Sequence, residues 1–404
     1  MKYDIVLLSL PDTFKRQPPA GLGYLKSFLE QHNKSVKVID GNRLENYYKI
    51  ILEVDRYEYE WLGISVFSYE QKELALKIGS EFKNVIYGGA GVKQDWPIKP
   101  FIVGEGEYSL LEFLNNNLNF PGINGTSPAQ IENLDILPIP DYSDCFEKFD
   151  YTTICLTGSR GCVRNCTFCD VGLIWPKYKW IDGDILGNQI LKLTEKYNIS
   201  NISFTDSLVN GSMKHFRKMV DVLSSQPNSI EWAGQFIIRN QKDFPLEYFK
   251  KLKKSGCHHL TIGIESGSEK VRKHIRKKFS NNDIDYYLEN LIKNKIKIKI
   301  LLIVGYPTET DSDFNETLNL LDKYKDFAKN GLLQISPHMM LIDKGVPLDI
   351  MYYDLFDEYG FKWKNENSNY DIRLKRFLKI YEYEKYGYIF DDHAKEKIKK
   401  FKEY

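Results

Sequence analysis

Short apolar runs alternate with amphipathic stretches along most of the chain. Tyr3–Leu10, Val36–Ile39, Trp61–Phe67, Val85–Tyr87 and Phe101–Val103 are β-prone, while stretches near Leu22–Gln31, Leu44–Val54, Gln71–Phe82 and Tyr108–Leu118 repeat their apolar positions at helical spacing. Alternation of this kind predicts a parallel sheet covered by helices on both faces. Ligands of such sheets sit at the carboxyl ends of the strands. Those ends carry Gly21, Ser65, Gly88 and Gly89, and Gly104 and Glu105. Glycine there lets a backbone approach a ligand closely, although each glycine taken singly is more often just a turn.

Residues 120–150 read as a connector, because Pro121-Gly122, Asn124-Gly125 and Pro128 interrupt any periodicity. A second alternation follows, with strands near Thr152–Thr157, Asn201–Thr205, Glu231–Ile237, His259–Ile264, Lys297–Val304 and Leu332–Ile335. Six parallel strands with outer helices make a partial (β/α)6 barrel of TIM type, whose chemistry gathers at the C-terminal strand ends. Polar residues stand at those ends: Thr205, Asp206 and Ser207; Arg239 and Asn240; Glu265 and Ser266; and Gly305 to Thr310 around Pro307 and Thr308. After Pro337 the pattern becomes helical and aromatic, with Tyr352, Tyr353, Phe356, Tyr359, Phe361, Trp363, Tyr381, Tyr383, Tyr386 and Tyr388. This region reads either as a cap over the barrel or as ordinary helical packing. The charged tail from Lys395 to Tyr404 is expected to fray. The division expected is 1–119, 120–150, 151–336 and 337–404, all of it α/β except the helical C-terminal piece.

Cys162, Cys166 and Cys169 lie in the loop after the first barrel strand, spaced C-x3-C-x2-C. Three thiolates this close in sequence can converge on one metal centre. A four-iron cluster needs four ligands, so three cysteines leave one iron open. A structural zinc site is the plainer alternative, but no second C-x2-C and no H-x3-H follows to complete a tetrahedron.

Composition narrows the setting. A net charge of +1 gives no polyelectrolyte signature, which argues against a nucleic-acid partner. No apolar run approaches the roughly 18 residues of a membrane span. Six cysteines, three of them clustered, suit a reducing compartment better than a disulfide scaffold, so a cytoplasmic protein is expected. Ten lysines and arginines against two glutamates between Lys250 and Lys278 read as a solvated helix face rather than as a phosphate site.

The cysteine loop, with Phe168 just before its last cysteine, resembles the signature of the radical SAM superfamily. Gly263-Ile264-Glu265-Ser266-Gly267 and Gly305-Tyr306-Pro307-Thr308-Glu309-Thr310 are similar to two further motifs of that superfamily. The resemblance implies a [4Fe-4S] cluster on the three cysteines and S-adenosylmethionine (SAM) on the open iron, cleaved reductively to a 5′-deoxyadenosyl radical. It also implies SAM contacts from Phe168, Thr205, Asp206, Ser207, Arg239, Glu265, Ser266, Gly305, Pro307 and Thr308. Asp206 and Ser207 stand where the methionyl amine is bound, and Glu265 where a ribose hydroxyl is accepted. A reductant such as flavodoxin or ferredoxin is implied as well.

The order of "P-x-GL-x-YL", "GIS", "GG" and "GEGE" across residues 1–118, and Leu134-Asp135-Ile136-Leu137-Pro138-Ile139-Pro140-Asp141 after it, resemble the cobalamin-binding class of the superfamily. That would make the first domain Rossmann-like and of B12-binding type, with Gly21, Ser65, Gly88, Gly89, Gly104 and Glu105 as cobalamin contacts. The D-x-H-x-x-G histidine has no counterpart, since His32 is the only histidine before residue 215, which implies base-off cobalamin. The stretch Gly88 to Pro100 is too short for a full crossover helix. Residues 1–144 lack cysteine, unlike methylthiotransferases of the superfamily, and no cysteine follows Cys257, so one cluster is expected. By resemblance the reaction is methyl transfer to an unactivated carbon of a small-molecule or biosynthetic-intermediate substrate. The rivals are a radical SAM cyclase, rearrangement or oxidation enzyme with cobalamin unused, and a non-catalytic iron-sulfur sensor.

Overall fold

The computed structural model describes residues 2–12, 16–44, 46–226, 230–352, 363–390 and 395. Tyr353, Phe356, Tyr359 and Phe361, and the tail beyond Lys395, lie outside the described residues. The chain divides into two compact units, residues 1–158 with 179–205, and residues 159–178 with 206–404. Its class is the expected α/β architecture of parallel sheets.

The first unit opens with β1 (Lys2–Ser9), α1 (Ala20–Gln31), β2 (Val36–Asp40), α2 (Tyr47–Val54), β3 (Glu58–Ser65), α3 (Lys72–Gly79), β4 (Val85–Gly88) and α4 (Gly106–Leu114). The four strands pair in parallel in the order β2-β1-β3-β4. Ile5, Val6, Leu7 and Leu8 of β1 are all buried, as expected for a strand covered on both faces. Alternate residues feed two cores: Ile5 and Leu7 pack with α1 and α4, Val6 and Leu8 with α2 and α3.

One expectation is revised here. Phe101–Val103 does not become a fifth strand, because its residues take different partners: Phe101 bridges to Tyr87, Ile102 bridges to Ile123, and the Val103 N–H donates to the Gly122 carbonyl at 2.8 Å. Such divided pairing gives isolated bridges and no ladder. Within the connector, Ile123, Ile131, Leu134, Leu137, Tyr142 and Cys145 are buried. Asp144 fastens it to the unit through Lys26 at 2.7 Å and Lys37 at 2.8 Å. The absence of a helix between β4 and Phe101 agrees with the sequence reading. Val92 and Trp96 of that loop are buried, and Trp96 packs on Tyr87 at 5.5 Å between ring centroids. The first unit also holds β5 (Ile154–Leu156), α5 (Gly183–Tyr197) and β6 (Asn201–Phe204), with β5 and β6 parallel.

The second unit continues with α6 (Met213–Ser225), β7 (Glu231–Phe236), α7 (Leu246–Lys254), β8 (Cys257–Glu265), α8 (Glu269–Ile275), α9 (Asn281–Lys293), β9 (Lys297–Val304), α10 (Asp311–Ala328) and β10 (Leu333–Met339). Strands β7 to β10 pair in parallel in sequence order. Capping boxes start α9 at Ser280 with Asp283 and α10 at Thr310 with Asp313. Thr310 is therefore a helix cap. The C-terminal region is not purely helical. Helix α11 (Tyr370–Tyr381) is followed by β11 (Ile389–Phe390), which pairs with Gln334 and Ile335 of β10. Gly387, at φ +88°, makes the turn into β11; a Cβ there would lie 2.9 Å from Lys329 Cα. Tyr388 anchors the strand by donating to the Leu321 carbonyl at 2.7 Å.

Candidate functional site

In the second unit, the cysteine loop is shaped before any ligand is considered. Gly161 has φ +82°, and a Cβ on it would meet the Lys177 carbonyl at 2.6 Å, so only glycine fits without strain. Asp206, buried, accepts the Ser159 N–H at 2.6 Å, while the Ser159 hydroxyl donates to the Leu208 carbonyl at 3.0 Å. The entry to the loop is thus tied to the segment after β6. On the far side, Thr167 N–H donates to the Ile275 carbonyl at 3.2 Å and its hydroxyl meets Tyr306 at 2.9 Å. Cys166 packs with Val271, Ile275, Tyr306, Leu348 and Trp363, and Phe168, Cys169 and Tyr352 lie against the same cluster.

The three thiols lie close enough to act on one another. Burial pushes the Cys166 thiol up, and Glu265 and Cys162 add to the shift. Burial pushes Cys169 up to about 11, with Cys166, Asp170 and Cys162 contributing. Crowded thiols resist losing their protons, and bound iron reverses that preference by replacing protons with positive charge. Among the described residues no three His, Cys, Asp or Glu side chains are gathered tightly enough to form a preformed metal site. The donor chemistry still fits a cluster: three neighbouring thiols on one short loop, half-buried in an apolar setting.

The strand ends of this unit differ in how free their side chains are. Glu265, at the end of β8, is buried and pairs with Lys277 at 2.8 Å. Lys277 is close enough to the loop that, against the effect of burial, Glu265 first and then Cys166 hold its ammonium above the usual lysine range. Sequence reasoning missed Lys277, because a lysine in a basic helical stretch carries no signal of burial.

Ser266 is fully buried and structural. Its hydroxyl accepts from Ser268 N–H at 3.1 Å and its carbonyl accepts from Arg272 at 2.6 Å. Arg239 is likewise committed to backbone carbonyls, that of Asn210 at 2.9 Å and that of Gly211. Gly305, at φ +80°, donates its N–H to Glu309 at 2.8 Å, and Glu309 pairs with Arg376 at 2.9 Å. The Pro307 carbonyl accepts from Asn365 at 2.9 Å. Thr308 stands apart from these, since its hydroxyl is buried and has no hydrogen-bond partner among the described residues. An orphaned hydroxyl on a strand-end loop is the kind of group a bound ligand satisfies. Thr205 falls in the first unit, where its hydroxyl meets that of Thr157 at 2.8 Å.

The first unit brings some of its predicted residues together. Ser65 pairs with Ser9 and with Gly88, and Ser9 with Asp40, so four strand ends finish level. Gly89, at φ +110°, lies over β3, where a Cβ would be 2.5 Å from the Val66 carbonyl. Phe67 and Tyr69, just past β3, are 62% and 63% exposed, so this edge presents aromatic surface. A Cβ at Gly21 would have no neighbour within 4 Å among the described residues. Gly104 instead packs against Ala129, and Glu105 is drawn inward, accepting from Ile131 N–H and pairing with the buried Lys179 at 3.3 Å. A carboxylate held this way stabilises the connector.

Residues 156–321 match the family described as the radical SAM superfamily. An uncharacterized methyltransferase of Pyrococcus horikoshii is 26% identical over 375 residues, covering 81% of this chain and 80% of its own. A threonylcarbamoyladenosine tRNA methylthiotransferase of Thermotoga maritima is 28% identical over 191 residues, covering 44% of this chain and 42% of its own. Among solved structures, the radical SAM methyltransferase TsrM from Kitasatospora setae, with cobalamin and a [4Fe-4S] cluster bound, superposes with a TM-score of 0.71 at 16% identity. The match covers 87% of this chain and 75% of that one. The cobalamin-dependent SAM radical enzyme OxsB gives 0.71 at 18% identity, covering 87% of this chain and 61% of that one. No helix among the described residues is long and apolar enough to cross a membrane. Residues 156–321 thus match the radical SAM superfamily, a match that supports an enzyme with a [4Fe-4S] cluster and S-adenosylmethionine as its implied cofactors.

Proposed function

We propose that the chain is a cobalamin-dependent radical SAM methyltransferase acting on an unactivated carbon of a small-molecule or biosynthetic-intermediate substrate. The observation that carries this reading is the joining, in one chain, of a parallel sheet with level, glycine-bearing strand ends and a radical SAM domain. A relative named as a methyltransferase and a fold shared with cobalamin-bound enzymes support it. When bound, the cluster and SAM supply a 5′-deoxyadenosyl radical and cobalamin supplies the methyl group; the chain's task is to position and to exclude water.

In this proposal Cys162, Cys166 and Cys169 hold the cluster. Asp206 fixes the mouth of their loop, Glu265 accepts a ribose hydroxyl, and the free hydroxyl of Thr308 donates to SAM. Phe168, Thr205, Ser207 and the backbones of Gly305 and Pro307 complete the contacts, while Ser266 and Arg239 act by holding their loops in shape. Gly21, Ser65, Gly88 and Gly89 are the proposed cobalamin contacts; Gly104 and Glu105 shape the segment behind them. The four-part division of the chain, a cytoplasmic setting and a flavodoxin or ferredoxin as reductant belong to the same proposal.

A second reading is a radical SAM cyclase, rearrangement or oxidation enzyme that leaves cobalamin unused. It is favoured by one observation: Val92 and Trp96 pack into the space beside β4 that a crossover helix would otherwise cover. Metal content after anaerobic reconstitution with iron, sulfide and hydroxocobalamin separates the two. About four irons and one cobalt per chain support the first reading; the same iron without cobalt supports the second.

A further inference from the structure

The basic stretch that the sequence presents as a solvated face converges in space. A cleft of about 460 Å³ in the second unit is lined by Lys270, Lys273, Lys277 and Lys278, together with Phe279 and Ser280. This lies within the range of small-molecule sites. Two acids also line it, yet both are engaged by neighbours. Glu269 accepts the Asn281 N–H at 2.5 Å and faces Arg272 at 3.8 Å. Asp283 accepts the Ser280 N–H and hydroxyl at 3.0 and 2.9 Å, and Gln241 at 3.1 Å. Two of the lysines are paired, Lys270 with Asp313 at 3.1 Å and Lys277 with Glu265 at 2.8 Å. Among the described residues, Lys273 and Lys278 have no ion-pair partner. The lining is thus four cations against two acids, and both unpaired charges are positive.

We infer that this cleft receives a phosphate-bearing group of the substrate. Several ammonium groups around one hollow match the charge of a phosphate monoester or diphosphate, and each brings three rotatable donors. The α9 N-terminus adds nothing to this, since its capping box already occupies it. A phosphorylated small molecule fits better than an RNA backbone. Among the described residues only one aromatic lines the cleft, too few for successive bases to stack on, and the net charge of the chain is +1. Lys277 belongs both to the cleft and to the pair with Glu265, so a ligand there lies one side chain from the proposed SAM site. Calling the ligand a substrate rests on the proposed function; the anion site itself does not.

The test is calorimetric titration of the reconstituted enzyme with pyrophosphate at low salt, for the wild type and for the double variant Lys273→Ala/Lys278→Ala. Both side chains are exposed, so the variant folds, and neither belongs to the catalytic machinery. Saturable binding that weakens at least tenfold in the variant, with 5′-deoxyadenosine formation from SAM unchanged within twofold, is the expected result. Absence of saturable binding, or equal affinity in the variant, overturns the inference. A parallel titration with a short single-stranded RNA that binds more tightly than pyrophosphate, and loses more on the double substitution, overturns the small-molecule assignment. If SAM is not cleaved yet lysine-dependent pyrophosphate binding persists, the proposed function fails and the anion site stands.

Discussion

Lys277 Nζ lies 2.8 Å from Glu265 Oε1, and the backbone of Glu265 is left-handed, at φ +69°. A glutamate in that conformation is uncommon and costs on the order of 1–3 kcal/mol, so its surroundings must hold it there. A Cβ on Gly263 would lie 2.3 Å from the Glu265 carboxylate and 3.0 Å from Lys277 Nζ, so the pair closes over that glycine. Lys277→Met leaves a buried carboxylate unpaired and should destabilise the protein by roughly 3 kcal/mol in urea unfolding. The double variant with Glu265→Gln should recover at least half of that. An unchanged midpoint in Lys277→Met contradicts this account of the pair.

The cysteines separate by role. Cys166→Ala should abolish 5′-deoxyadenosine formation under anaerobic, reducing conditions. Cys145 is buried in the core of the first unit and should tolerate Ala with cleavage activity retained. Undiminished turnover in Cys166→Ala would refute the cluster assignment.

Gly161 and Gly172 make a matched pair on the same segment. Gly161→Ala forces a side chain into a left-handed backbone, at about 1–2 kcal/mol, and toward the Lys177 carbonyl. A Cβ at Gly172 has nothing within 4 Å. Iron retained after reconstitution and desalting should fall by half or more in Gly161→Ala and stay at the wild-type level in Gly172→Ala.

The Thr308 hydroxyl is buried without a partner among the described residues, so Thr308→Val should leave stability unchanged or raise it slightly. If that hydroxyl donates to SAM, the KM for SAM rises several-fold while the urea midpoint holds. Equal KM values in the two proteins remove Thr308 from the set of SAM contacts.

Asp313 caps α10 and accepts from Thr310 at 2.7 Å, Ser268 at 2.7 Å and Lys270 at 3.1 Å. Burial works against the charge, but these partners prevail and hold its carboxyl down at about 2. The folded value lies below the unfolded one near 4, so the contribution is complete above about pH 4 and is lost as pH falls toward 2. Asp313→Asn should cost about 1–2 kcal/mol at pH 7, and the difference from wild type should shrink between pH 4 and pH 2. A gap that stays constant across that window would exclude the carboxylate as its source.

Much of this molecule is written locally. The strand-helix alternation, the C-x3-C-x2-C loop and the caps at Thr310 and Ser280 depend on residues within a turn or two of one another, so spacing and residue type suffice to read them. What spacing does not carry is direction and partner. Phe101–Val103 has strand composition but is divided among Tyr87, Gly122 and Ile123, and Ile389–Phe390 becomes a strand only because β10 offers it an edge. Ser266 and Arg239 resemble ligand contacts in sequence, yet the Ser266 hydroxyl accepts from the Ser268 N–H and Arg239 donates to the Asn210 carbonyl. Lys277, twelve residues after Glu265, is indistinguishable in sequence from its neighbour Lys278, and burial alone separates them. The sequence by itself determined the class of chemistry, because a cluster loop is set by a few covalently close residues. Only the tertiary structure decided which polar groups are free to act, because hydrogen bonds and ion pairs form between side chains that the fold, and not the chain order, brings within reach.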